Sequence, residues 1–249
     1  MMEMPPYLRG IIVVTWKNMS LYYTKPPVLM FGILFPLFMF FAFFVGRKLD
    51  LTTYFPAFLA MMLFFTASSV GPLITPWEKR DKTYERLLSY PVTQDIIILG
   101  DVAAGAIFGI GISLVIWLAS SLFVPVAITN PGLFVFAFVI GTLSCSAMGV
   151  LIVSPGSDNP PNVMIFSNLI RFPLIFISGI FVPLADMQGL ALTLAYFSPL
   201  TYLVDLFNAA MQGISVFSPA VDCGVLIGIL AGFLLAARFI QKRNLMKGM

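Results

Sequence analysis

The segment from residue 54 to residue 74, YFPAFLAMMLFFTASSVGPLI, contains no charged side chain over its 21 positions. An α-helix rises about 1.5 Å per residue, so about 20 residues cross the roughly 30 Å hydrocarbon core of a bilayer. We therefore interpret this segment as a transmembrane helix. The next stretch, WEKRDKTYERLLSYP at residues 77–91, is rich in charge, so the chain leaves the membrane there.

Apolar segments of similar length recur along the chain. Of its 249 residues, 59% are hydrophobic and only 10% are charged, which is more apolar surface than one soluble core can bury. The sequence predicts an all-α polytopic membrane protein with six transmembrane helices. The predicted spans are residues 28–45, 54–74, 96–124, 132–153, 163–182 and 221–240.

The distribution of basic residues predicts the orientation, because lysine and arginine concentrate in cytoplasmic loops. Of the 14 lysines and arginines, three precede the first span, four lie between the second and third, and four lie at or after the end of the last. Only Arg47 and Lys48 fall on the opposite side, and Arg171 lies inside a span. Both termini are therefore expected in the cytoplasm, with the chain in the cell (inner) membrane.

Two segments outside the spans have a composition of their own. Residues 5–24 carry apolar side chains at helical spacing, which predicts an N-terminal interfacial helix; a short helix facing solvent is the alternative. Residues 184–213 are moderately apolar but broken by proline, glycine and aspartate. This pattern favours a pair of external re-entrant helices before the last span over an ordinary external loop.

The charged segment predicts a short amphipathic helix on the cytoplasmic side, at residues 77–90. Seven of the chain's 25 charged residues lie between positions 78 and 86, while Trp77, Tyr84 and Leu88 share one helical face. A surface that combines charge with an aromatic and leucine stripe is typical of a docking site. By the residues alone, a plain interfacial helix remains the alternative.

Two blocks of sequence resemble the ABC-2-type transporter permeases. The first contains Glu78-Lys79-Arg80, TYERLL at residues 83–88 and PVT at residues 91–93; the second contains SGIFVPL at residues 178–184 and YFSPLTYLVD at residues 196–205. With the interfacial helix and six spans, the resemblance covers nearly the whole chain as one transmembrane domain, residues 1–249. It is strongest to the branch of drug-resistance and nodulation-type exporters.

The resemblance implies the permease subunit of an ATP-driven exporter. Its implied partners are two copies of an ABC ATP-binding subunit, a second, identical permease and the lipid bilayer, with no nucleic acid. No phosphate loop of the G-x-x-x-x-G-K-[ST] type occurs in the sequence, so ATP and Mg²⁺ are expected in the partner, and this chain is expected to be neither an enzyme nor a cofactor carrier. The residues expected to couple to the ATPase are Trp77, Glu78, Arg80, Tyr84, Glu85, Leu87 and Leu88.

Other candidate residues lie within or near the spans. Arg171 is interpreted either as part of the translocation path or an intramembrane pair, or as a side chain that snorkels to the interface. Pro183, Pro199 and Asp205 are candidates for an outer gate. Glycines repeat every four residues at positions 105 and 109 and at positions 224, 228 and 232, which predicts close helix packing, within one subunit rather than between subunits.

Two other functions are alternatives to the exporter. A secondary, ion-coupled transporter needs titratable groups near the midplane, and the sequence has no histidine and no evident mid-span carboxylate; Asp101 and Asp205 are expected at interfaces. A non-ABC membrane subunit that only binds substrate does not explain the charged segment at residues 77–90 as well.

Overall fold

A computed structural model of the chain describes residues 5–44, 51–90, 92–121, 127–155 and 159–247. All regular structure in these ranges is helical, which confirms the predicted all-α class. The predicted loop residues Arg47 and Lys48 lie outside these ranges. The helices are α1 (Pro6–Tyr22), α2 (Pro26–Leu29), a π-helix (Met30–Leu34), α3 (Phe35–Phe44), α4 (Leu51–Ser68), α5 (Gly71–Arg80), α6 (Thr83–Leu88), α7 (Gln94–Ser121), α8 (Pro131–Val153), α9 (Pro160–Ile177), a 3-10 helix (Leu184–Asp186), α10 (Leu190–Ala195), α11 (Pro199–Gln212) and α12 (Pro219–Lys247).

Five helical segments in the described ranges are long and apolar enough to cross a membrane. They are Thr52–Arg80, Gln94–Ser121, Pro131–Val153, Pro160–Ile177 and Pro219–Asn244. A sixth is obtained if Pro6–Tyr22 and Pro26–Met39, which meet at a bend of 91°, are counted as one span. The chain is therefore multi-pass, with five or six spans where the sequence predicts six.

Helix α4 forms the centre of the molecule. The most apolar 18-residue stretch of the segment Thr52–Arg80 is entirely buried inside the chain, against α7, α8, α11 and the π-helix. Phe64 and Phe65 stand at its core with no exposed surface. The other spans keep part of their apolar surface on the outside, and α12 is the most exposed of them.

Two glycines let α7 approach α4 and α8 closely. A Cβ atom added at Gly105 would lie 2.2 Å from Ser146 Oγ and 2.8 Å from the carbonyl oxygen of Ala67. At Gly109 it would lie 2.7 Å from Cγ2 of Thr142. The predicted close packing within one subunit is therefore confirmed for this pair of glycines.

The second span is broken between α4 and α5. Proline has no backbone N–H, so Pro72 cannot donate to the carbonyl oxygen of Ser68, which is four residues earlier. The helix stops at Ser68 and resumes at Gly71, with Leu73 N donating to Val70 O at 2.8 Å. Segment α5 then carries the chain from this break to the charged turn.

The segment that follows α9 forms a short 3-10 helix and two α-helices. Gly179, with φ of +85°, ends α9, and the 3-10 helix, α10 and α11 follow. Helix α11 is buried against α4, α8 and α12, and Gly213, with φ of +72°, ends it. The sequence predicts this helix pair, and its position in the outer leaflet stays a prediction.

Candidate functional site: the junction of α1, α5 and α7

Helix α1 packs along the first turns of α7. A Cβ atom on Gly100 would lie 2.5 Å from Cγ1 of Val14, so only glycine permits this approach without a shift. The Thr15 hydroxyl donates to the carbonyl oxygen of Gly100 at 3.2 Å. The N-terminal helix is thus fixed to the bundle. Its position along the membrane interface stays a prediction.

A buried polar cluster joins α1 to α5 and α7. The amide Nδ2 of Asn18 donates to Oδ1 of Asp101 at 2.6 Å, and Lys17 forms an ion pair with Glu78. Asn18, Glu78 and Asp101 are all buried. Buried carboxylates are costly unless they are paired or hydrogen-bonded, and here each has such a partner. No sequence pattern marks Lys17 or Asn18 as site residues, and Asp101, expected at an interface, is buried inside the chain.

Aromatic rings reinforce the same junction. The rings of Tyr22 and Trp77 stack with centroids 5.6 Å apart and planes 15° apart. The ammonium of Lys25 lies 4.3 Å from the Trp77 centroid and 4.8 Å from that of Tyr22, within the range of a cation–π contact. The end of α5 is therefore held by both charge and stacking to the end of α1.

The predicted single helix at residues 77–90 is wrong. Helix α5 ends at Arg80, a turn follows at Asp81 and Lys82, and α6 begins at Thr83. Lys82 has φ of 54°, a left-handed conformation that a continuous helix does not contain. The Thr83 hydroxyl donates to the carbonyl oxygen of Glu78 at 3.2 Å and so bridges the turn.

The residues predicted to couple to an ATPase separate into two groups. Trp77, Glu78 and Tyr84 are buried against this chain. Burial, with the Asp101 and Glu78 carboxylates nearby, raises the pKa of the Tyr84 phenol to about 12. Arg80 and Glu85 are exposed and Leu87 is half-buried, while the side chain of Leu88 lies outside the described part of the structure.

Comparison with known proteins identifies the family. The sequence profile of the ABC-2 type transporter family matches residues 9–211. This chain belongs to the ABC-2 type transporter family. The prediction from the two sequence blocks is confirmed.

Two relatives of this ABC-2 chain illustrate its place in the family. It is 27% identical to Nodulation protein J of Rhizobium leguminosarum bv. viciae, over 65% of this chain and 62% of the relative. It is 23% identical to Inner membrane transport permease YadH of Escherichia coli K12, over 67% of this chain and 64% of the relative. The matches thus span less than two thirds of either relative.

Arg171 of this ABC-2 chain is buried and does not snorkel. The residue is only 2% exposed, and Nη2 of its guanidinium donates to the carbonyl oxygen of Ser68. This is the carbonyl that Pro72 leaves without a helical donor. The structure records no ion pair for Arg171 among the described residues, so the predicted intramembrane charge pair is not found within them.

The candidate gate residues are only partly brought together. Pro183 and Asp205 line the same cavity of about 200 Å³, between the start of α4, the loop after α9 and the end of α11. Pro199 is buried at the start of α11 and is not among the residues that line this cavity. The Asp205 carboxylate, expected at an interface, is buried and accepts from the backbone N–H of Val216 at 2.8 and 3.0 Å and of Phe217 at 2.8 Å.

Within the described residues, the glycines of the last span, on α12, are not packed against other helices as those of α7 are. A Cβ atom added at Gly224, Gly228 or Gly232 would meet no atom of the described chain within 4 Å. The prediction that these glycines pack within one subunit is therefore wrong for the described residues. They form an open strip along the exposed helix α12.

Proposed function

We propose that this chain is the permease subunit of an ATP-driven ABC exporter in the inner membrane. It forms the translocation path with a second, identical permease and couples to two copies of a separate ABC ATP-binding subunit, which supplies ATP and Mg²⁺ chemistry. The chain contributes residues 1–249 as one transmembrane domain, with both termini in the cytoplasm. Family membership, the relatives that are transport permeases and the multi-pass fold support this proposal.

The main support for this proposal comes from the segment formed by α5, the turn and α6. Its base is clamped to α1 by the Lys17–Glu78 ion pair and the Tyr22–Trp77 stack, while its tip exposes residues of both charges. A segment that is rigid at its base and charged at its tip can receive force from a docked protein. The exposed side chains of this tip are Lys79, Arg80, Asp81, Lys82, Glu85 and Arg86.

The buried residues of the predicted docking set take a different role in this proposal. Trp77, Glu78 and Tyr84 face their own chain, so they position the segment rather than contact the ATPase. Arg80 and Glu85 offer the contact, because exposed charges set partner choice and association rate. Movement of the tip would then pass along α5 to the break at Ser68 and into the central helix α4.

A charge-reversal experiment tests the coupling role. We expect the variant Arg80→Glu/Glu85→Arg to insert normally but to lose the ABC ATPase in a nanodisc pull-down, or to lose transport-linked stimulation of ATP hydrolysis. Arg243→Glu, an exposed charge reversal on α12, is the matched control. Retention of the ATPase with unchanged stimulation in the double variant would contradict the assignment.

One observation favours the ion-coupled alternative. Asp222 lies near the start of α12 with no exposed surface and close to the buried carboxylate of Asp205. Intramembrane carboxylates of this kind serve as proton or cation sites in secondary transporters. Transport that persists without ATP and collapses with the ion gradient would favour this alternative, whereas transport that requires ATP supports the exporter.

A further inference from the structure

A small cavity lies where the broken second span meets α9, away from the charged tip. It has a volume of about 10 Å³ and is bounded by Pro72 and Leu73 of α5, Phe31 of the π-helix and three polar residues of α9. These polar residues are Ser167, Asn168 and Arg171. Ser167 and Arg171 are each only 2% exposed, so this side of the cavity is shielded from solvent.

Each of these three lining residues has one buried polar atom without a hydrogen-bond partner among the described residues. The atoms are Nε of Arg171, Oγ of Ser167 and Oδ1 of Asn168. Buried polar atoms are almost always satisfied by protein or by ordered water. Three such atoms on one helix, around one cavity, indicate a shared ligand.

A hydrogen bond from the guanidinium fixes the orientation of Arg171. Nη2 donates to the carbonyl oxygen of Ser68, at the C-terminus of α4, where the helix dipole favours a positive charge. This contact holds the guanidinium against the break, and Nε remains available to the cavity.

We propose that the cavity holds one water molecule, bound by Arg171, Ser167 and Asn168. The water accepts from Arg171 Nε and donates to Asn168 Oδ1 and Ser167 Oγ, which satisfies all three atoms. A single water needs a cavity of roughly 10–15 Å³ and two to four polar partners, and this site provides both. A halide ion only accepts hydrogen bonds, so it would leave the oxygen of Asn168 without a donor.

Arg171 connects α9 to the break between α4 and α5, and the bound water holds Arg171 in place. Arg171 replaces the helical donor that Pro72 removes, and the water ties the same guanidinium back to its own helix. The site therefore stabilises the break in the second span, and this holds whether or not the chain couples to an ATPase.

Cryo-electron microscopy of the permease in nanodiscs, at a resolution that shows ordered water, tests the proposal directly. We expect one density within hydrogen-bond distance of the three atoms, equally strong in chloride and in gluconate buffer. Density that appears only in chloride identifies an anion and overturns the proposal. A collapsed cavity, in which the three side chains bond directly to one another, overturns it as well.

Variants of α9 provide a second test by hydrogen exchange. Asn168→Leu should remove the density, and Ser167→Ala, which leaves two of the three partners, should weaken it. Both should accelerate amide exchange at Leu73, whose N–H donates to Val70 O at the break, by about tenfold for the loss of one buried hydrogen-bond partner. Leu169→Ala, on the exposed face of the same helix, should change neither. Unchanged exchange and unchanged density in Ser167→Ala and Asn168→Leu would overturn the proposal.

Discussion

The ammonium of Lys17 and the carboxylate of Glu78 form an ion pair that joins the N-terminal helix to the last turn of α5. The side chain of Glu78 is 3% exposed and that of Lys17 is 26% exposed. The carboxylate thus has little access to water and depends on its partner. Separation of α1 from α5 would leave a buried charge, so the two helices are expected to move together.

The first prediction concerns this pair. Lys17→Met should lower the free energy of unfolding by about 2 kcal/mol, below the ~3–5 kcal/mol typical of a fully buried pair because Lys17 is partly exposed. The double variant Lys17→Met/Glu78→Gln should lose less, since no unpaired charge remains. Denaturation in nanodiscs measures both, and a larger loss in the double variant would contradict the role of the pair.

The second prediction uses two glycines on α7. Gly105→Ala should destabilise the chain by about 1–3 kcal/mol, because the new Cβ would meet Ser146 and the backbone of Ala67 at impossible distances. Gly111→Ala is the matched control, since its Cβ would meet nothing within 4 Å. It should be neutral or stabilising by up to ~1 kcal/mol, as expected for alanine in a helix. Thermal unfolding of both variants provides the comparison.

The third prediction concerns the open strip of α12. If the strip faces a second permease, Gly228→Leu should leave the fold of the single chain intact but reduce self-association, because the larger side chain prevents close helix approach. Cross-linking through a cysteine introduced near position 228 measures the change. Gly111→Leu adds the same side chain at another open position of the described chain and should leave association unchanged. Equal cross-linking of both variants would place the contact elsewhere.

The fourth prediction concerns Asp205. Its carboxylate holds the loop before α12 by accepting from two backbone N–H groups, of Val216 and Phe217. Asp205→Ala should accelerate exchange of these two amides, since hydrogen bonds to a charged group contribute ~1.5–3 kcal/mol each. Asp205→Asn keeps one acceptor and should have a smaller effect. Asp186→Asn, an exposed aspartate of the 3-10 helix, serves as the control.

Segment type was predictable from the sequence because it depends on local composition. Long apolar runs define the helices of the bundle, and proline and glycine mark most of their ends, including Gly213 after α11. The family followed from two blocks of sequence with conspicuous charge and proline patterns. These features are carried by residues that are neighbours in the chain.

The contacts of individual side chains were not predictable in the same way. Trp77 and Glu78 are buried because α1 returns to cover them, and no local pattern at residues 77–90 indicates this. Lys82 adopts a left-handed backbone without glycine or asparagine to signal it. The two sets of glycines have the same spacing, but among the described residues only the set on α7 has atoms of another helix within 4 Å of an added Cβ.

The burial of α4 has a consequence for how the chain is made. This helix is apolar enough to enter the bilayer by itself. The π-helix and α3, which contact it, are earlier in the sequence, but α7, α8 and α11, which cover most of it, are later. During synthesis the surface that α7, α8 and α11 later cover is therefore expected to contact lipid first, and these lipid neighbours are replaced as the later helices insert and associate. The most buried span of the folded chain is thus one that is largely exposed to lipid when it first inserts.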